Sequence, residues 1–399
     1  MFRVSLMLLV LVVSASSLFA QYDLNLPDSL KAKEELYYNG SLPVYDVPQQ
    51  KLPLMPNGKK AKNIILLIGD GTGTSQIYSA YTANRGNLHY NRIPVAGFSV
   101  TTSSDAYITD SASGATVLAA GVKTYNGAVG VNDDTVRVRT ILEQAEEKQL
   151  ATGLVATCSI THATPASFIA HQPARRMYEE IAADFLDTDV DLFIGGGHDH
   201  FNGEKRKDKR DLLGELKQKG YTLTNDFDAL KAVDTKSTYK LASFLADVHQ
   251  PRYPERGEQL AVSTTKALEI LSKNDKGFFL MIEGSQIDWG GHADNTTYIV
   301  QETYDFDRAV GQALDFAAKD GETLVIVTAD HETGGFSING GNIETGEVVG
   351  KFTTGGHTAV MVPVFAFGPS AELFGGIQQN SDIYFSMIRA LGWEMMMGN

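Results

Sequence analysis

Apolar residues in this chain come in short unbroken runs, each closed by polar residues or glycines. Residues 63–68 form the first run and lead into Gly69-Asp70-Gly71-Thr72-Gly73. Residues 152–157, 191–194, 278–283, 323–328 and 362–367 repeat the pattern. Short runs without polar alternation belong to strands buried on both faces. Between them the spacing turns helical, over 112–120, 176–186, 292–319 and 381–391. Strands alternating with helices predict a doubly wound α/β fold, with a mainly parallel central sheet and helices on both faces. Residues 21 to about 60 are polar and dotted with proline, and read as an N-terminal arm. Residues 198–258 read as a polar surface insertion carrying a charge run at 204–211. Its histidines, His198, His200 and His249, read as surface residues.

The first twenty residues change the picture of where the chain works. Arg3, an apolar stretch at 6–13 and small residues up to Ala20 have the form of a secretion signal. The expectation is an exported protein, periplasmic or extracellular, with no stable membrane anchor once the signal is removed. Residues 21–399 then form a single domain. The formal net charge of -14 makes the chain a poor partner for nucleic acid or an anionic membrane. Any anion site has to be made positive locally. Cys158 is the single cysteine, so no internal disulfide forms, and it reads as a small buried residue at a strand end.

The chemistry sits where the apolar runs end. Asp70, Glu283 and Asp330 each close a predicted strand, and parallel strands bring their C-terminal ends to one edge. Acids gathered there repel one another unless cations lie between them. Asp288 and His292 stand four apart, Asp330 and His331 are adjacent, and His357 lies between glycines and threonines. Histidine with carboxylate and an open position suits zinc, while carboxylate, hydroxyl and water suit magnesium. Spacing alone does not choose between one metal and two. Asp110-Ser111 precedes a run of small residues, so Ser111 falls at a helix N-terminus, a place that suits an anion. Ser111 is there either as an N-cap or as a nucleophile. The glycines at 69–73 depart from a dinucleotide-binding order, and Asp70 would repel a pyrophosphate.

As a set, these segments resemble the alkaline phosphatase family. The matching stretches are Gly69-Asp70-Gly71, Thr109 to Thr116 with Gly121 to Gly127, Ala163-Thr164-Pro165-Ala166 with Arg175, Glu283 through Asp288 to His292, Thr328 to Gly335, and Gly356-His357-Thr358. The resemblance implies hydrolysis of phosphate monoesters through a phosphoserine at Ser111, with two Zn2+ and one Mg2+ per chain. It assigns Asp288, His292 and His357 to the first zinc. Asp70, Asp330 and His331 go to the second, with Ser111 as a further ligand. Asp70, Thr164 and Glu283 go to magnesium. Arg175 is the implied phosphate grip, and Asp110 is expected to orient it without touching metal. Small phosphomonoesters are the implied substrates, and a homodimer is the common assembly of the family.

Two positions depart from many bacterial relatives. His162 stands near the third metal where they carry Asp, and Trp289 stands near the phosphate where they carry Lys. The expectation is weaker Mg2+ binding with Zn2+ competing, and a pocket wall at Trp289 in place of a charge. The nearest rivals are a phosphodiesterase of the same superfamily and a non-catalytic phosphate- or metal-binding protein. A sulfatase is disfavoured because Ser111-Ala112-Ser113-Gly114 lacks the proline and arginine context of that nucleophile.

Overall fold

The structure, a computed structural model, describes residues 30–56 and 58–394. The expected secretion signal lies outside these residues. Contacts group Ala32–Asn399 into one unit; the other, Met1–Lys31, is almost wholly outside the described part. Ten strands build the main sheet: β1 (Asn63–Gly69), β2 (Val95–Val100), β3 (Ala151–Ser159), β4 (Leu192–Gly196), β5 (Thr222–Thr224), β6 (Leu241–Phe244), β7 (Phe278–Gly284), β8 (Thr323–Thr328), β9 (Val362–Phe367) and β10 (Gly376–Gln379). Their order is β10-β2-β9-β8-β1-β7-β3-β4-β6-β5. From β8 to β5 all neighbours are parallel. β9 runs antiparallel to both β8 and β2. The sheet is therefore mainly parallel.

Every residue of β1, β3, β7 and β8 is buried, because helices cover both faces. Ile65, Leu67, Leu280, Ile282, Val325 and Val327 join one apolar core with Ile299, Val310 and Leu314 of the long helix Thr296–Asp320. The helix Ser111–Ala120 is buried along its whole length and packs on the C-terminal helix Asn380–Leu391.

Two expectations change. The helical pattern at 292–319 is two helices, Ile287–His292 and Thr296–Asp320. Asp294, at φ +49°, breaks the first, and the Asn295 side chain caps the second by accepting from the Tyr298 N–H at 2.7 Å. The polar stretch 198–258 is also more than a surface excursion, since it supplies β5 and β6 to the sheet edge. It also carries Arg256, buried and paired with Glu302 and with Asp305 at 2.8 Å.

Candidate active site

Four adjacent parallel strands, β8, β1, β7 and β3, deliver the acids and imidazoles to one edge. Asp70 follows β1, Glu283 lies in β7 beside Ile68 of β1, and Asp330 and His331 follow β8. The turn after β3 carries His162 and Thr164, both buried. His357 arrives differently. The two-residue strands Glu332–Thr333 and His357–Thr358 pair antiparallel, with Thr333 opposite His357.

Gly71 makes the Asp70 turn possible. Its φ is +70°, and a Cβ there would meet Asp288 Cα at 2.7 Å. The Gly71 N–H donates to Asp330 Oδ1 at 3.2 Å, and the His331 N–H donates to the same oxygen at 3.0 Å. Oδ2 of Asp330 is left facing the site. Gly114 lets the Ser111–Ala120 helix approach, since a Cβ there would lie 3.0 Å from Asp330 Cβ.

At the start of that helix the cap is Asp110, whose Oδ1 accepts from the Ser113 N–H at 2.9 Å. Ser111 is therefore the first helical residue and its hydroxyl is not used as the cap. Its Oγ lies 3.3 Å from His331 Nε2. The second oxygen of Asp110 accepts from Arg175 Nη1 at 2.8 Å, so one carboxylate fixes both the helix start and the guanidinium.

The donor atoms form two clusters. In one, His292 Nε2 and His357 Nε2 are 3.2 Å apart, and they lie 3.3 and 3.4 Å from Asp288 oxygens. In the other, His331 Nε2 lies 3.5 Å from Asp70 Oδ1 and 3.4 Å from Asp330 Oδ2. Nitrogen and oxygen ligands of a tetrahedral zinc stand about 3.3 Å apart. The clusters adjoin, with the His331 and His357 rings stacked 3.5 Å apart.

The tautomers agree with metal binding. His292 Nδ1 donates to the Gly355 carbonyl at 2.7 Å, and His357 Nδ1 to the Thr109 carbonyl at 2.9 Å. Thr333 Oγ1 donates to Asp288 Oδ1 at 2.5 Å, so it can only accept from His331 Nδ1 at 3.3 Å. Each ring thus turns its Nε2 lone pair toward the carboxylates, the arrangement of metal-ligating histidines. Thr333 escaped the sequence reading; the hint was its place two residues after His331.

Both oxygens of Asp70 and Oε1 of Glu283 are buried with no hydrogen-bond partner among the described residues. Burial, then Asp330, Asp288 and Glu283, raise Asp70 well above the usual carboxylate range. Burial pushes Glu283 up to about 8 and Asp330 up to about 7, the latter helped by Asp288. Asp288 goes the other way: burial opposes ionisation, but His292 and His357 outweigh it. Burial and then His357 depress His331, keeping its ring neutral. Carboxylates so placed stay ionised together only around cations. The residues present fit metal ions at both clusters, and at Asp70, Thr164 and Glu283.

A third group of side chains lines the adjoining wall. Trp289 is buried, and its ring lies 5.0 Å from His249 and 6.0 Å from His162, edge to face with both. Burial and then Arg175 and His249 hold His162 well below the ordinary imidazole range. His249 Nδ1 accepts from the Ser159 N–H at 3.0 Å, and His200 Nδ1 lies 2.6 Å from Thr161 Oγ1. His249 and His200 thus hold inward hydrogen bonds while staying partly exposed, which the surface reading did not foresee. Their polar stretch folds back over the end of β3, which local composition does not reveal. His198 stays partly exposed.

Comparison with known proteins bears on this arrangement. The profile of the family described as Alkaline phosphatase matches residues 61–352. Alkaline phosphatase 3 of Bacillus subtilis is 34% identical over 90% of this chain and 94% of its own length. The alkaline phosphatase of the Antarctic bacterium TAB5 has a similar structure, with TM-score 0.80 and 45% identity over 84% of this chain and 99% of that one. A His-to-Asp variant of the TAB5 enzyme, also 45% identical over the same shares with TM-score 0.79, has Mg bound in its M3 site. A profile match across most of the strands that build the site, with relatives that match nearly end to end, places this chain in the alkaline phosphatase family.

Proposed function

We propose that the chain hydrolyses phosphate monoesters by two in-line displacements, with Ser111 as the nucleophile. The observation that carries this is Ser111 Oγ facing His331 Nε2, the nitrogen that also faces Asp70 and Asp330. The nucleophile and one metal cluster share a centre. Asp288, His292 and His357 would hold one Zn2+, and Asp70, Asp330 and His331 a second, with Ser111 as a further ligand. Asp70, Thr164 and Glu283 would hold Mg2+. These ions, when bound, supply the charge that lowers the pKa of the Ser111 hydroxyl and of the attacking water, and that stabilises the leaving alkoxide.

Arg175 binds two phosphate oxygens through its planar fork while Asp110 holds it from behind. Ser111 Oγ gives up its proton to solvent and attacks phosphorus, and the P–O bond to the leaving group breaks as the phosphoserine forms, the departing alkoxide taking a proton from solvent to become the alcohol. Water then attacks phosphorus from the vacated side, phosphate leaves, and the serine oxygen takes a proton back. The helix start at Ser111 adds backbone N–H groups of the right sign for the transition state. Both nucleophiles act deprotonated, so the rate rises toward alkaline pH.

His162 and Trp289 tune this site. A neutral His162 in place of a carboxylate removes a negative charge near the third ion, which weakens Mg2+ and favours Zn2+. Exchanging His162→Asp should tighten Mg2+, and an unchanged Mg2+ requirement in a metal titration would contradict this. Trp289 forms the wall against His162 and His249. Export from the cell belongs to the same reading, and N-terminal sequencing of secreted protein tests it. The reaction itself is tested with p-nitrophenyl phosphate and its bis ester, with and without chelator. Fast, chelator-sensitive cleavage of the monoester alone is expected. Faster cleavage of the bis ester would make the chain a phosphodiesterase, and no cleavage of either a binding protein.

A further inference from the structure

One cysteine lies against the third-ion pocket. Cys158, in β3 and fully buried, places Sγ 3.5 Å from Glu283 Oε2. A sulfur and an oxygen on one tetrahedral zinc stand about 3.5 Å apart, since the bonds are about 2.3 and 2.0–2.2 Å. A ring nitrogen of His162 completes the group. One donor atom each from Cys158, His162 and Glu283 lies within 4.8 Å of the others, and all three residues are buried. The second observation is His162 Nδ1, which is buried without a hydrogen-bond partner among the described residues. An imidazole nitrogen left so in the interior lacks either a cation or a hydrogen-bond partner, and a cation at this pocket would supply the first.

We propose that this pocket holds two overlapping donor sets, a hard one of Asp70, Thr164 and Glu283 and a soft one of Cys158, His162 and Glu283. Mg2+ takes the oxygen set and ignores the sulfur. Zn2+, Cd2+ and Co2+ are drawn to the thiolate and imidazole. When the soft set binds, the Cys158 S–H bond breaks, its proton passes to solvent, and a metal–sulfur bond forms without electron transfer. Because Glu283 belongs to both sets, the two kinds of ion exclude each other. The proposal rests on the reading of this pocket as the site of the third ion, and it adds the thiol and the metal class.

The test uses the whole chain loaded with two equivalents of Zn2+, which leaves the third pocket empty, dialysed free of magnesium and titrated with Cd2+. Cys158 is the only cysteine in the chain, so a thiolate-to-metal charge-transfer band in the ultraviolet reports on it alone. The expected result is a saturable band that excess Mg2+ suppresses. Cys158→Ser and Cys158→Ala should abolish it and weaken Cd2+ at this pocket by about 10-fold or more. A third cadmium ion bound by wild type without the band overturns the proposal. So does failure to take up a third ion, or a band that Mg2+ leaves unchanged. The wild-type readout stands even if neither variant folds. Chelator-sensitive phosphomonoesterase activity on the same preparation tests the underlying reaction separately, since it can be present with or without the band.

Discussion

Thr333 ties the two histidine–carboxylate clusters together through one hydroxyl, donating to Asp288 and accepting from His331. Thr333→Val keeps the shape and removes both bonds. Zinc affinity should fall by about 10–100-fold, measured by chelator competition. Unchanged affinity would mean that the hydroxyl does not set the tautomer. Arg175→Lys keeps a charge but loses the fork and its bond to Asp110. It should lower kcat/KM by about 10–100-fold, and Asp110→Asn less, because the single amide oxygen of Asn keeps the helix cap and Arg175 keeps its fork, although the NH2 group can no longer accept from it. Residues such as Asp70, Glu283 and Asp330 were legible because each ends an apolar run. Thr333 and His249 were not. A threonine two residues from a ligand and a histidine in a polar stretch acquire their roles only from the partners that folding brings.

The helix Ile141–Glu147 shows the same contrast at the scale of an element. Thr140 and Glu143 form a reciprocal cap, with the Glu143 N–H donating to Thr140 Oγ1 and the Thr140 N–H to Glu143 Oε2. His171 Nε2 adds a contact to Glu143 Oε1 at 3.1 Å. Burial raises the Glu143 pKa, but His171, the Thr140 N–H and Arg137 outweigh it and bring the carboxyl down to about 2. A depressed folded pKa contributes stability above the unfolded value of 4.5, and that stability is lost as pH falls toward about 2. Glu143→Gln should cost about 1–2 kcal/mol in chemical denaturation at pH 7. The cost should shrink at acid pH, and a constant difference would contradict the assignment. β8 and β9 coincide with their apolar runs because nothing but burial defines them. The break between Ile287–His292 and Thr296–Asp320 was hidden by a continuous helical period. Its local signal, Asn295 before two threonines, was present in the sequence.

Across the whole molecule, the parallel strands carry charges that the fold by itself does not balance. Burial pushes Glu283 up to about 8 and Asp330 up to about 7, against ordinary values of 4.5 and 3.8. Between those limits these two carboxyls hold more protons folded than unfolded, and above about pH 6.5, where the depressed imidazoles of His331 and His162 no longer titrate in either state, raising the pH destabilises the metal-free protein. Its melting temperature should fall from about pH 6.5 to pH 8, and metal binding should remove the decline. A metal-free protein whose stability is flat over that window would mean that the acids are not crowded as described. At this scale the sheet and its covering helices followed from alternation alone. The folding back of 198–258 did not, because edge strands as short as Thr222–Thr224 leave no apolar run to read.

The central claim is that Ser111 forms the covalent intermediate. Incubating the metal-loaded protein with a phosphomonoester at acidic pH, quenching and mapping by mass spectrometry tests it most directly. Slower attack by water should let phosphate accumulate on Ser111, and Ser111→Ala should carry no label and lose about 10^4-fold or more in rate. A Ser111→Ala protein that keeps wild-type turnover, or label on another residue of the wild type, would contradict it.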